Sequence, residues 1–247
     1  MTPDILAALT EAKRANRPVV LATRLPDGAQ RLLPDPAASA ELNQSATRRL
    51  AADKSGTEAI GNENWFLHAH NPPLRLIVVG AVHIAQALVP FAAQLGFGVT
   101  VVDPRRAFAS DERFPNVTIS TEWPDEALDA LVPDIRTAIV TLTHDPKLDD
   151  PALDRALRSP AFYIGSLGSR RTHGKRLDRL RELGHTDAAM ARIRGPVGLD
   201  IAAVTAPEIA LSILAEIVAA RRGSPLGQKV AGQKVAGQKV AGEKQAA

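Results

Sequence analysis

"IVVGAVHIAQALVPF", residues 77–91, reads as a buried strand, a tight turn and the start of a helix, and it decides the fold. Ile77, Val78 and Val79 run into Gly80, after which the apolar residues fall at helical spacing. This is how a dinucleotide-binding βαβ unit opens. Its fingerprint, Gly-x-Gly-x-x-Gly or Ala, is met here by Gly80 and Ala85 and broken by Val82. Gly80 permits the turn through Ala81. Val82 sets a branched side chain where the second glycine would let the backbone approach a pyrophosphate, which disfavours ordinary NAD docking. His83, at the helix start, is placed to donate to a phosphate or to cap the turn.

Outward from this stretch, apolar strands alternate with helices, the pattern of a doubly wound, mostly parallel sheet of α/β class, Rossmann-like in rhythm. The expected strands are "LRLIVVG", "VTVVD", "VTIS", "TAIVTLT" and "AFYIG". Helices are expected near residues 84–95, 124–131, 151–158, 170–183 and 206–222, the last opened by Thr205 and Glu208 at capping-box spacing. Pro90 should kink the first of these helices or end it early. Upstream, residues 1–71 read as a small α+β domain: a helix after Thr2-Pro3, a strand "VVLAT", a turn at Pro26-Asp27-Gly28, a second helix and a hairpin ending in "WFLHAH". Asn71-Pro72-Pro73 marks the junction, and residues 72–222 form the larger domain. Residues 223–247 are a low-complexity tail, expected to be disordered.

In an open α/β sheet ligands bind beyond the carboxyl ends of the strands, so the segments just after each strand carry the site. Asp103 falls about 20 residues after Gly80, where an acidic residue takes a ribose diol, and Arg105 and Arg106 follow as phosphate partners. Thr143, His144 and Asp145 reach the crevice from the fourth strand. Asp150-Pro151 is expected to cap and open the next helix, which, with a single imidazole present, leaves no convincing metal set. "YIGSLGSRRTHGKR" offers Gly165 and Gly168 for close backbone approach, Ser166 and Ser169 as hydroxyls, and Arg170, Arg171, Lys175 and Arg176 at a helix start. A helix N-terminus is already partly positive, so cations crowded there argue for an anion. Gly198 and Asp200 lie in a further loop.

Composition narrows the classes. The chain has 247 residues, 45% hydrophobic, enough for a substantial core. Its formal charge of +3 comes from the tail, where Lys229, Lys234, Lys239 and Lys244 stand against Glu243 alone. Residues 1–223 are thus neutral, which argues against nucleic acid as a partner. No segment reads as a membrane span or secretory leader, and the cytoplasm is the expected location. The absence of cysteine excludes disulfides, thiolate metal sites and any persulfide on this polypeptide.

Taken together, "VVGAVHIAQAL", "VTVVDPR", "ERFP", "LTHDPKLDDPAL", "YIGSLGSRRTH" and "GLDIAAVTAPEIALSILAEI" resemble the carboxyl-terminal domain of the XdhC/CoxI family over residues 72–221. The resemblance implies a maturation factor that binds molybdenum cofactor, as molybdopterin or its cytosine dinucleotide. It further implies help with sulfuration of that cofactor and delivery to a molybdenum hydroxylase, with a cysteine desulfurase as a further partner. A homodimer is the expected assembly. The family's Gly-Ala-Gly-His loop has Val82 in place of its second glycine here, and residues 1–71 lack the family's glycine- and cysteine-containing signature. The alternatives are an NAD(P)-dependent oxidoreductase, favoured by the fold and Asp103, and a scaffold with a vestigial nucleotide pocket.

Overall fold

The computed structural model describes residues 1–227. The chain opens with α1 (Pro3–Arg14), capped by Thr2 with Pro3 at its first position, then β1 (Val19–Arg24), β2 (Gln30–Leu33), α2 (Ala40–Ala52), β3 (Gly56–Ile60) and β4 (Glu63–His70). The four strands form an antiparallel sheet in the order β2-β1-β4-β3. Alternation along the strands sends Val20, Ala22, Trp65 and Leu67 to one face, where Leu42 and Ala46 of α2 cover them. Val19 and Leu32 face the other way, against Leu9 and Ala12 of α1.

Asn71 closes this unit by donating to the carbonyl of Leu50, 2.9 Å, and to Asp53. Arg136 donates to the Pro72 carbonyl at 3.0 Å, while Arg136 and Arg221 of the larger unit both reach Asp53.

The larger unit runs β5 (Leu74–Val79), α3 (His83–Gln94), β6 (Phe97–Val102), β7 (Thr118–Ser120), α4 (Pro124–Leu131), β8 (Thr137–Thr141), α5 (Pro146–Arg158), β9 (Tyr163–Ser166), α6 (Arg170–Glu182), α7 (Asp187–Met190), β10 (Ile193–Arg194) and α8 (Ala206–Arg221). Its sheet order is β10-β9-β8-β5-β6-β7, every pair parallel. Counted from β5, that is the six-stranded Rossmann order with both halves present. Leu76 and Val78 face α3 and α8, whereas Ile77 and Val79 face α4, α5 and α6. Helices on both sides explain why the central strands are apolar runs and not alternating ones. Each fully buried Leu, Ile or Val there contributes about 1.5–3 kcal/mol.

Three expectations change. The α3 helix continues through Pro90 to Gln94, because Pro90 lies on the exposed side, where a missing backbone hydrogen bond is least costly. Helix α5 starts five residues earlier than expected, at Pro146 with Asp145 as its cap. The edge strand β10, only two residues long, carried no readable pattern. The predicted tail lies outside the described residues, apart from a single 3-10 turn at Pro225–Gly227. Among the described residues no helix is long and apolar enough to cross a membrane.

Candidate functional site

The chain leaves β5 toward β6 on one side and reaches β8 on the other, so the sheet reverses its winding between β5 and β8. A crevice opens at such a point. Gly80 ends β5 with φ +110°, and a Cβ on it would stand 2.5 Å from Cγ2 of Thr143 at the end of β8. No other residue fits there. Ala81 is fully buried; Val82, the N-terminal cap residue of α3, has ordinary extended backbone (φ −92°) and packs against the core, and His83 is exposed. Val82 therefore serves partly as a packing residue.

Asp103 holds this turn. It is wholly buried; Oδ2 accepts from the Ala81 N–H at 2.8 Å and from Arg105 Nη2 at 2.8 Å. Oδ1 accepts from Arg105 N and Nε, at 3.0 and 2.9 Å. Burial pushes the carboxyl up, but the hydrogen bonds from Arg105 and Ala81 outweigh it and hold Asp103 below the usual carboxylate range. An aspartate placed by sequence to take a ribose diol thus spends both oxygens inside the protein, and a diol would have to displace Arg105. Arg113, from "ERFP", completes the clamp by donating to the carbonyls of Ala81 and Phe108 and to Gln86. Arg106 is exposed.

At the end of β8, Thr143 Oγ1 donates to Asp149 at 2.7 Å and accepts from the Asp145 N–H at 3.1 Å. His144 is exposed with φ +63°, a left-handed conformation uncommon for a side chain of its size. Asp145, not Asp150, caps α5, accepting from the Lys147 N–H at 3.0 Å. Asp150 instead lies inside the helix and forms a two-pronged ion pair with Arg179. A single capping position was available, and the proline at 146 claimed it before the proline at 151.

The end of β9 divides the expected residues. Gly165 is inside the strand, and its bare face accommodates Val197, whose Cγ2 would lie 2.5 Å from a Cβ. Ser166 is fully buried and shares a hydrogen bond with Thr141. Neither offers itself to a ligand. Gly168 (φ +144°) makes the turn into α6, and Ser169 caps that helix, accepting from Thr172 N at 3.1 Å. Arg170 and Arg171 are exposed at its start.

Between α5 and α6 lies a cavity of about 260 Å³ lined by His144, Pro146, Asp149, Arg171, Thr172, Lys175, Arg176 and Arg179. Its floor is the buried pair of Arg176 and Asp149, each 1% exposed and 3.3 Å apart. Arg176 Nη2 also donates to the Leu167 carbonyl at 2.9 Å, but Nε and Nη1 have no hydrogen-bond partner among the described residues. Burial pushes the Asp149 carboxyl above its ordinary value, against the opposing pull of Thr143 and Arg176.

Gly198 lies apart from this cavity: its N–H donates at 2.8 Å to Glu216, fully buried on α8, which also accepts from Tyr163 Oη at 2.6 Å. Asp200 is exposed. Sequence reasoning missed Asp149 and Arg179 as cavity residues, Arg113 as a clamp and Glu216 as an anchor. Arg176 was legible in principle, since it shares a helical face with the buried Leu180.

Comparison with known proteins matches residues 76–217 to the model of the XdhC Rossmann domain. The chain is 36% identical to the uncharacterized protein YqeB of Escherichia coli K12, over 72% of this chain and 33% of that one. It is 35% identical to the molybdenum cofactor insertion chaperone PaoD of the same organism, over 65% of this chain and 44% of PaoD. It is 32% identical to a probable xanthine dehydrogenase subunit of Bacillus subtilis, over 64% of this chain and 46% of that one. It thus spans less than half the length of each of these relatives. A crystal structure of a xanthine dehydrogenase from Bacillus halodurans superposes with a TM-score of 0.68 at 25% identity, over 89% of this chain and 64% of that one. The Rossmann strand order, the Gly80 turn and the match across most of the larger unit agree, and this chain belongs to the XdhC family.

Proposed function

We propose that this chain holds molybdenum cofactor, as molybdopterin or its cytosine dinucleotide, in the crevice between β5 and β8 and delivers it to a molybdenum hydroxylase. The observation that carries the reading is a set of cations at the carboxyl end of the sheet. Arg171 and Lys175 line the cavity between α5 and α6, and neither has an ion-pair partner among the described residues. Their positions beside a helix N-terminus make them costly unless an anion is bound. The phosphate of the cofactor is such an anion, and the first turn of α6, through Arg171 and Thr172, lines the cavity that would take it. When bound, the cofactor supplies redox chemistry to the client enzyme; the residues of this chain bind and orient it.

The role of PaoD, insertion of molybdenum cofactor, supports the same reading for a shared domain. Because this chain has no cysteine, a cysteine desulfurase partner must carry any persulfide used for sulfuration. Hydride transfer with NAD(P) is less well supported, since the acidic residue of the fingerprint is committed to Arg105 and Ala81. The test is purification of the chain from cells that make the cofactor, oxidation of any bound pterin to its fluorescent form, and mixing of the loaded chain with an apo-hydroxylase. Bound pterin and faster activation of the hydroxylase are expected. A pterin-free chain that has no effect on activation, or a chain that instead titrates stoichiometrically with NAD(P), overturns the proposal.

A further inference from the structure

We infer that the cavity between α5 and α6 is a phosphate site whose innermost donor is the buried guanidinium of Arg176. This rests on the cofactor-binding reading for its biological source of phosphate, and on the cavity's own geometry for the site. Arg176 is 1% exposed, yet two of its nitrogens, Nε and Nη1, have no acceptor among the described residues. Buried polar groups are nearly always satisfied, and a charged donor left without an acceptor is costly. Among the described residues the carboxylate it bonds, Asp149, takes only Nη2, and at 3.3 Å it is a long contact. It also receives Thr143 Oγ1 at 2.7 Å, so its capacity is divided.

The missing partner is therefore an acceptor that arrives from outside. Nη1 lies beneath the turn into α6, 3.8 Å from where a Cβ on Gly168 would stand and beside Thr172, which lines the same cavity. The first turn of α6, a helix of 13 residues, lines the same cavity through Arg171 and Thr172, and the positive end of a helix favours an anion there. Arg171 and Lys175 stand at the mouth with no counter-charge among the described residues, while Arg179 is neutralised by Asp150. Depth and charge together fit a tetrahedral oxyanion, with Arg176 as the inner donor, Arg171 at the rim and the lysine a mobile point charge. His144 lines the same cavity and follows Thr143, which touches Gly80. A phosphate held here is thus adjacent to the crevice at the head of β5.

The experiment is calorimetric titration of the full chain with inorganic phosphate and with pyrophosphate at low and moderate salt. Binding that weakens with salt is expected. Lys175→Ala and Arg171→Ala, both exposed, should each lower affinity several-fold with unchanged melting. Asp149→Asn combined with Arg176→Met removes both buried charges at once and should lower affinity tenfold or more. Tighter binding of pyrophosphate than of phosphate identifies a diphosphate site, and equal binding a monoester site; both support the inference. Absence of binding by the wild type at millimolar anion overturns it, as does a folded double variant that binds like the wild type. If the double variant does not fold, unchanged affinity in both Lys175→Ala and Arg171→Ala overturns it, and weakened affinity supports it. Retention of pterin by a chain that ignores both anions rejects this site and leaves the cofactor-binding reading standing. Arginine-dependent anion binding by a chain that never retains pterin does the reverse.

Discussion

Replacing Gly80 by alanine tests the joint on which the crevice depends. The new Cβ would stand 2.5 Å from Thr143 Cγ2 and 3.3 Å from the Thr143 backbone nitrogen, against a normal carbon contact of about 3.5–4.0 Å. Two costs follow. Forcing a side chain to φ +110° costs about 1–3 kcal/mol. Overpacking a site that cannot relax costs about 1–3 kcal/mol more, since both neighbours are strand ends in one sheet. Gly80→Ala should therefore lose about 2–6 kcal/mol and melt roughly 4–24 °C lower, at about 2–4 °C per kcal/mol for a chain of this size. Thr143→Ser removes Cγ2 and keeps Oγ1, which donates to Asp149. In Gly80→Ala/Thr143→Ser much of the steric part should return, a coupling of about 1 kcal/mol or more by urea denaturation. A Gly80→Ala protein as stable as the wild type, or strictly additive variants, would refute the argument that these two loops are packed face to face.

Four further outcomes are expected. Val82→Gly should destabilise by about 1–2 kcal/mol through lost packing and added backbone freedom, and should gain little affinity for NAD by calorimetry; a large gain would show that Val82 faces the ligand. Tyr163→Phe leaves buried Glu216 one donor short and should cost about 1–3 kcal/mol, read by urea denaturation; a neutral change would mean that the bond does not anchor the Gly198 loop. Because Asp103 titrates below its unfolded value of about 3.9, its contribution is present above that pH and is lost as pH falls through the folded pKa. Asp103→Asn should thus be about 1–3 kcal/mol less stable at pH 7, and the gap should close in acid below about pH 4; a constant gap down to pH 2 would contradict the assignment. Arg170→Ala with Arg171→Ala should leave the melting midpoint unchanged or slightly raised while pterin retention falls, and a lowered midpoint with intact retention would make these arginines structural.

The larger unit was legible because its signals are local and agree. "IVVG", "VTVVD" and "AIVTLT" are apolar runs too short for helices, each followed by a polar or glycine-containing segment, and a parallel sheet covered on both faces demands that pattern. Capping chemistry was equally readable at Thr205 and Glu208, where both reciprocal bonds form. Local chemistry failed where two segments offered the same signal. Asp145-Pro146 and Asp150-Pro151 are both plausible starts, and the choice was made by tertiary contacts: Asp149 must reach Thr143 and Asp150 must reach Arg179. The same helix start placed five residues later would point neither carboxylate at its partner.

Of the candidate site, the sequence made legible which residues end the strands and much less the roles those residues take in the fold. Counting strand ends finds Gly80, Thr143, His144 and the start of α6, all of which border the crevice or its cavity. It does not tell a side chain that faces a ligand from one that holds the loop, because both are polar residues at the same place in the chain. Asp103 and Ser166 turned inward, one to the Gly80 turn and one to Thr141, and each is fully buried. The discriminating quantity is the count of satisfied donors and acceptors, which exists only in three dimensions. By that count Asp103 is complete, with four hydrogen bonds from Ala81 and Arg105, and has nothing left for a ligand. Arg176, equally buried, has two nitrogens, Nε and Nη1, without an acceptor among the described residues. Two buried charged residues thus separate into a strut, Asp103 at the end of β6, and a donor unsatisfied among the described residues, Arg176 of α6, and it is the second that lines the cavity proposed to take an anion.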